Sequence, residues 1–140
     1  LTAAGFAVVA CDDRPGTLTP EWVPNVYDRR LVDYKNLSER CPIGPRDLVV
    51  VATAGHKSDI DVVIQAMRAK PAYLGCLGSR RKTAFVRARL EQEGFTQEQI
   101  DELHLPIGVA IEAEDPEEIA ISIAAEMIHL RRTKLIPRKR

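Results

Sequence analysis

The sequence has no excess of either charge and no long apolar run. Lys and Arg together number 20, as do Asp and Glu, so the formal net charge is 0. A balanced chain has no overall field to attract nucleic acid or a membrane, and the locally basic stretch 131–140 is typical of a solvated terminus. No stretch approaches the roughly 20 apolar residues that span a bilayer. We therefore expect neither nucleic acid nor a membrane as a partner.

Cysteine is scarce, and several familiar catalytic motifs are missing. The three cysteines, Cys11, Cys41 and Cys76, have no short pairing spacing, which favours a reducing compartment and predicts a cytoplasmic protein. No zinc-type Cys/His spacing is present, so we predict no metal site. Without a P-loop or a Gly-x-Ser-x-Gly elbow, phosphoryl transfer and hydrolysis lack their usual machinery. Cys76 lies in a predicted strand and is interpreted as a core residue.

The composition is that of a folded domain. The 140 residues are 45% hydrophobic and 29% charged, which is ordinary for a globular protein and long enough to bury a core. No internal repeat or low-complexity segment divides the chain, so we predict one domain, 1–140. Because the sequence opens with Leu1, in what reads as a helix end closed by Gly5, we expect it to be a piece of a longer protein.

Apolar runs typical of buried strands alternate with segments of helical spacing. This alternation predicts an α/β fold with a parallel sheet and helices on both faces. The opening strand and Gly-rich turn that usually begin such a fold are absent. The predicted strands are Phe6–Cys11, a short one near Arg30–Val32, Asp47–Thr53 and Ala72–Leu77. Four helices are predicted: one from about His56 to before Pro71, one over Thr83–Glu93, a short one that begins at the capping box of Thr96 and Gln99, and one from Asp115 to about Leu130.

Ligands of open parallel sheets bind beyond the carboxyl ends of the strands, and three such segments carry chemistry. Asp12 and Asp13 follow the first strand. An acidic side chain there can accept both ribose hydroxyls of an adenosine cofactor, or the pair simply forms a polar turn.

The second segment follows the Asp47–Thr53 run. Gly55 is expected to let the backbone turn sharply and to present His56 at a helix N-terminus. His56 is a candidate acid/base, and Asp59 either orients it or helps to cap the helix.

The third segment is Gly78-Ser79-Arg80-Arg81-Lys82. Three cations in the first turn of a helix oppose its dipole by about 0.3–1 kcal/mol each, so something should offset that cost. An anion such as phosphate, held by the Ser79 cap, backbone amides and Arg80 or Arg81, would do so. The alternatives are a salt bridge to an acidic segment such as Glu112–Glu118, or solvation of the side chains.

These segments also carry a resemblance to a known family. The ordered combination is similar to the C-terminal, Rossmann-like domain of the xanthine dehydrogenase accessory proteins, the XdhC/CoxI family. The similar motifs are Val9–Pro15, Gly55-His56 with Asp59, Ala72–Lys82, Gly94-Phe95, His104 with Pro106-Ile107-Gly108, and Asp115–Ile128. The family often has a Gly-Ala pair where this chain has Glu112-Ala113.

The resemblance implies a cytoplasmic, non-catalytic maturation factor. It would bind molybdenum cofactor (molybdopterin) or a nucleotide in the crevice at the strand ends and transfer the bound molecule to a molybdenum hydroxylase apo-enzyme. From the residues alone, the alternatives are an NAD(P)-dependent oxidoreductase, with Asp12 or Asp13 on the ribose and His56 as acid/base, and a plain interaction module. Each of these interpretations leaves open whether the protein forms a homodimer.

Overall fold

The computed structural model, which describes residues 1–135, contains four short strands and four α-helices in the order β1, β2, β3, α1, β4, α2, α3 and α4. Short 3-10 turns span Thr2–Ala4 and Leu37–Glu39, and Arg131–Leu135 forms a π-helical turn. Within the described chain no helix is long and apolar enough to cross a membrane. The strands are β1 (Val9–Asp12), β2 (Asp28–Leu31), β3 (Leu48–Val51) and β4 (Tyr73–Cys76), and the helices are α1 (His56–Ala69), α2 (Arg80–Gln92), α3 (Gln97–Asp101) and α4 (Pro116–Leu130).

The strands form two parallel pairs. β1 lies parallel to β2 with Val9 opposite Asp28, and β3 lies parallel to β4 with Leu48 opposite Tyr73. The segment after α3 extends the second pair, because His104 N donates to Leu74 O and Cys76 N donates to His104 O, each at 2.9 Å. The parallel pairing and the covering helices confirm the predicted α/β architecture.

The β3–β4 pair is covered on both faces, since alternate side chains of a strand point to opposite sides. One face packs in the main core with residues of α1 and α2, while the other packs against α4. The first set comprises Val49, Val51, Leu74 and Cys76; the second comprises Leu48, Val50 and Tyr73. The result is the expected three layers of helix, sheet and helix.

The boundaries of two elements differ from the apolar patterns that predict them. The apolar spacing starts α2 at Thr83, but the helix begins at Arg80, directly after the expected Ser79 cap, whose side chain accepts a hydrogen bond from Lys82 N (3.3 Å). β1 is shorter than the apolar run that predicts it, since it starts at Val9 and includes Asp12.

Other boundary signals are confirmed. The capping box of α3 forms, with Thr96 N donating to Gln99 Oε1 (2.9 Å) and Gln99 N donating to Thr96 Oγ1 (3.2 Å). α4 starts at Pro116 after Asp115, and Gly5 has the left-handed φ of 81° that ends the first turn.

Two glycines allow the segment after α3 to lie close to its neighbours. A Cβ at Gly75 would stand 2.5 Å from Ile107 Cδ1, and a Cβ at Gly108, whose φ is +97°, would stand 2.2 Å from Ser122 Oγ on α4. Both distances are too short for any side chain. The Pro-Ile-Gly turn therefore packs directly on β4 and α4.

Candidate functional site

A cavity of about 530 Å³ opens at the carboxyl ends of β3 and β4. Its volume lies within the range of about 300–1,000 Å³ that small-molecule sites occupy. The loops after the two strands form most of its wall, and α4 adds one apolar side chain. The lining residues are Thr53, Ala54, Gly55, His56, Asp59, Leu77, Gly78, Ser79, Lys82 and Ile119.

The loop after β3 is held by the carboxylate of Asp59. Thr53 donates to Asp59 Oδ1 through both its backbone N and its hydroxyl, each at 2.8 Å. The loop backbone is therefore tied to the first turn of α1 before any ligand arrives. His56, the first residue of that helix, is exposed and lines the cavity.

The expected reason for Gly55 is wrong. Its φ of −152° and ψ of 145° are those of extended backbone, which any residue adopts, so no sharp turn requires glycine here. A Cβ at this position would meet no atom within 4 Å. Neither the backbone conformation nor the packing therefore explains the glycine at this position.

A buried ion pair joins the two loops. Lys82 Nζ pairs with Asp59 Oδ2 and also donates to the carbonyl of Leu77, and the side chains of Lys82 and Asp59 are 8% and 2% exposed. Within the described chain, the hydrogen-bond partners of the Asp59 carboxylate are Thr53 and Lys82, and His56 is not among them. One of the three cations is therefore neutralised by an acid of α1 rather than by Glu112–Glu118.

Arg80 and Arg81 remain exposed at the start of α2. They do not line the cavity, although Ser79 and Gly78 immediately before them do. The first amides of α1 and α2 have no partner within their own helices, and both helix N-termini lie at this cavity. Two positive dipole ends and two exposed guanidinium groups make the opening suitable for an anion.

The acidic pair after β1 lies apart from this wall. Arg14 holds Asp12 through Nε to Oδ1 (3.0 Å) and Nη2 to Oδ2 (2.9 Å), and this hydrogen bonding lowers the pKa of the carboxyl. Asp13 is exposed, and neither acid is among the described residues lining the cavity. A ribose could bind Asp12 only if Arg14 released the Asp12 carboxylate.

A second polar cluster joins the segment after α3 to α4, and the positions of the strand ends do not predict it. His104 Nδ1 pairs with Glu126 of α4, and the other oxygen of that carboxylate accepts a hydrogen bond from Gly108 N. The ring of Tyr73 lies 4.6 Å from that of His104, and burial raises the pKa of its hydroxyl. The motif of His104 with Pro106-Ile107-Gly108 contains two of these groups and the motif Asp115–Ile128 contains Glu126, but the spacing of 22 residues gives no sign that they meet.

No cluster of three or more His, Cys, Asp or Glu side chains among residues 1–135 could hold a metal ion. Burial raises the pKa of Cys76 to about 11, as fits a core residue. The candidate site thus offers backbone amides, hydroxyls and cations, which are groups that bind anions.

Residues 1–127 match the family model of the XdhC Rossmann domain. The chain is 32% identical over 128 residues to an uncharacterized protein, YqeB, of Escherichia coli strain K12, and 29% identical over 105 residues to the molybdenum cofactor insertion chaperone PaoD of the same organism. These matches cover 91% and 75% of the chain but only 23% and 33% of the two relatives.

A third relative, described as a probable subunit of xanthine dehydrogenase in Bacillus subtilis strain 168, is 28% identical over 91% of the chain and 37% of its own length. Among solved structures, one described as a xanthine dehydrogenase from Bacillus halodurans superimposes with a TM-score of 0.82 at 29% identity, covering 99% of this chain and 39% of that one. The chain therefore spans between about a quarter and two fifths of these relatives. With the family model matched over residues 1–127 and the fold shared, the chain belongs to the XdhC Rossmann domain family.

Proposed function

We propose that this domain is the ligand-holding part of an accessory factor for molybdenum hydroxylases. In this role the β3–β4 cavity binds the phosphate or pyrophosphate of molybdenum cofactor or of a nucleotide, and the protein passes its cargo to the apo-enzyme. The observation that carries the proposal is the convergence of two helix N-termini on one cavity braced by the Lys82–Asp59 pair. The names of PaoD and of the Bacillus subtilis relative support the connection with molybdenum cofactor and xanthine dehydrogenase.

The chemistry of the wall suits binding more than catalysis. The α1 and α2 amides and the Ser79 hydroxyl supply hydrogen bonds to phosphate oxygens, while Arg80 and Arg81 supply charge at the rim. Lys82 is already neutralised by Asp59, so it braces the two loops rather than contacting the ligand. His56 also lines the cavity, which supports a binding role for it in this proposal.

The NAD(P)-dependent oxidoreductase is the alternative proposal. It needs Asp12 or Asp13 on a ribose, and the geometry supports it less because Arg14 occupies both oxygens of Asp12. A ligand comparison separates the two functions, since only the oxidoreductase requires NADH or NADPH as a preferred ligand.

The test is calorimetry of the full-length protein with molybdopterin, pyrophosphate and NADH, comparing wild type with Arg80→Glu/Arg81→Glu. Because a hydrogen bond to a charged group contributes about 1.5–3 kcal/mol, the double variant should lose tenfold or more in affinity for the phosphate-bearing ligands. Removing cations from a helix N-terminus should leave the apo-protein as stable or more so.

The matched control is Arg46→Glu/Lys70→Glu, which makes the same charge change before the amino ends of β3 and β4. It should leave affinity nearly unchanged. An Arg80→Glu/Arg81→Glu variant that binds pyrophosphate and molybdopterin normally would contradict the proposed site, and a clear preference for NADH would favour the oxidoreductase.

A further inference from the structure

Two cysteines that are 30 residues apart in the sequence meet between β1 and the segment after β2. Cys11 lies in β1, and Cys41 follows the 3-10 turn Leu37–Glu39. Their sulfur atoms are 3.4 Å apart, and Cys11 Sγ donates a hydrogen bond to Cys41 Sγ. Both residues are partly exposed, whereas Cys76 is fully buried. The proposed binding function uses neither of the paired thiols.

An arginine stands beside this pair. Arg30 is the register partner of Cys11 across β1 and β2, so the two side chains lie on the same face of the pair. Its Nε donates to Asp28 Oδ2 (2.8 Å), and its Nη1 lies 3.4 Å from the carbonyl of Arg40, the residue before Cys41. The guanidinium is therefore anchored next to the sulfur atoms.

These neighbours make the two thiols unequal. The hydrogen bond from Cys11 and the charge of Arg30 lower the pKa of Cys41 to about 6, against the opposing effects of burial and of Asp47. The same hydrogen bond, together with burial, raises the pKa of Cys11. The lowered pKa of Cys41 favours its thiolate, with the proton kept on Cys11, which is the arrangement of a nucleophile with a resolving thiol.

We propose that Cys11 and Cys41 form a thiol–disulfide exchange site that low-molecular-weight disulfides of the glutathione type oxidise to an intramolecular disulfide. The sulfur atoms need to approach from 3.4 Å to the bond length of about 2.05 Å. Two thiols alone do not complete a closed zinc site, and the described residues contain no larger ligand cluster. With such a disulfide as the oxidant, the pair needs no further protein group to form the bond.

The reaction has two steps. The Cys41 thiolate attacks one sulfur of glutathione disulfide, forming a mixed disulfide and releasing one glutathione thiolate. Cys11 then gives its proton to solvent and attacks Cys41 Sγ, which releases the second glutathione. Two protein thiols are oxidised, and one glutathione disulfide is reduced to two glutathione thiols. The new bond ties β1, next to Asp12, to the segment leading into β3.

The test is mass spectrometry of the full-length reduced protein after equilibration with glutathione redox buffers. Trypsin places the three cysteines on separate peptides, because it cleaves after Arg40, Arg46 and Arg68. We expect a linked Cys11–Cys41 peptide, a protein that remains unlinked to other chains on a non-reducing gel, and Cys76 that is alkylated only after denaturation. A Cys76→Ala control should form the same link.

Single variants identify the attacking sulfur. Cys11→Ser keeps a hydroxyl that can donate to Cys41, so it should accumulate glutathione on Cys41 at a rate that levels off above about pH 7, whereas an ordinary thiol with a pKa of about 8.5 continues to gain reactivity to about pH 9. Arg30→Gln should move this plateau to higher pH, and Arg30→Lys should largely restore it.

Three results would overturn the proposal. They are glutathione adducts without the Cys11–Cys41 link, a link between two chains or to Cys76, and an ordinary thiol pH profile at Cys41. Because the first two are measured in the wild-type protein, they do not depend on the folding of any variant.

Discussion

The β3–β4 pair and the β1–β2 pair are both parallel, yet they are covered to different extents. Side chains of β3 and β4 pack into one cluster on each face, and every residue of β4 is buried. In the other pair Val9 is 37% and Leu31 is 47% exposed, and Trp22 and Tyr27 in the loop between the strands are about 80% exposed. Tight packing on both faces allows a site to be held in place before its ligand binds, so the proposed anion cavity lies at the end of the better-covered pair.

The polar contacts of the two regions differ in the same way. Asp59, in the first turn of the helix that follows β3, is paired with Lys82 away from water, whereas Asp12 at the end of β1 is paired with the exposed side chain of Arg14. Breaking a buried pair leaves an uncompensated charge, while breaking an exposed one lets water replace the partner. Substitutions at the two sites should therefore have very different costs.

The largest effect is expected from Lys82→Met. Because the variant leaves the Asp59 carboxylate buried without its partner, the free energy of unfolding should fall by about 3–5 kcal/mol. Urea denaturation measures the change. Arg81→Met, one residue away and exposed, is the control and should change stability by about 0.5 kcal/mol or less. Equal effects of the two variants would contradict the buried pair with Asp59 as the cause of the loss.

Gly108→Ala tests the packing of α4 onto the β3–β4 face. The added Cβ meets Ser122 Oγ at 2.2 Å, and overpacking of this kind typically costs about 1–3 kcal/mol in unfolding free energy. Gly94→Ala is the matched control, since its φ of +89° is similar but no atom lies within 4 Å of the new Cβ. Thermal or urea unfolding should show Gly108→Ala to be the more damaging change.

Glu112→Gly should stabilise the loop that leads into α4. Glu112 has a φ of 56°, in the left-handed region that favours glycine, and relief of this strain should raise the unfolding free energy by about 1 kcal/mol. Glu112→Ala removes the same charge but keeps a Cβ. Urea unfolding of both variants separates the effects, and a gain with alanine as large as with glycine would contradict the conformational explanation.

The smallest effect is expected from Arg14→Gln. Arg14 lowers the pKa of Asp12, so the pair contributes stability above the ordinary pKa of the carboxyl and loses it as the pH falls through the lowered value. Because the pair is exposed, the loss of stability at neutral pH should be small and should vanish in acid. Two measurements check this: NMR titration of Asp12, in which the variant should show a higher pKa, and urea unfolding at neutral and acidic pH. An unchanged Asp12 titration would contradict the assigned cause.

The elements that could be predicted from sequence are those with local signals. The β-branched run 47–53 and the apolar run 72–77 contain β3 and β4, and the Thr96 and Asp115 signals mark where α3 and α4 begin. α2 begins one turn before the position that the spacing of apolar residues predicts, at its Ser79 cap. Apolar periodicity does not register a first turn made of cations, while a cap does.

The site was predictable in outline but not in its bonds. Strand ends point to the loops of His56 and Ser79, which do share a cavity. The pairing of Asp59 with Lys82, 23 residues apart, and that of His104 with Glu126, 22 residues apart, have no signal in the spacing. Each joins side chains from elements that approach only after helices and strands have packed.

By itself, the sequence determined the α/β class with parallel strands and covering helices, and the family, because these follow from local apolar patterns, caps and ordered motifs. Only the tertiary structure decided which charges neutralise each other, that Gly55 has an extended backbone rather than a sharp turn, and that Cys11 meets Cys41. Local propensities act over a few residues, whereas burial and electrostatic pairing depend on distances that the folded chain alone sets.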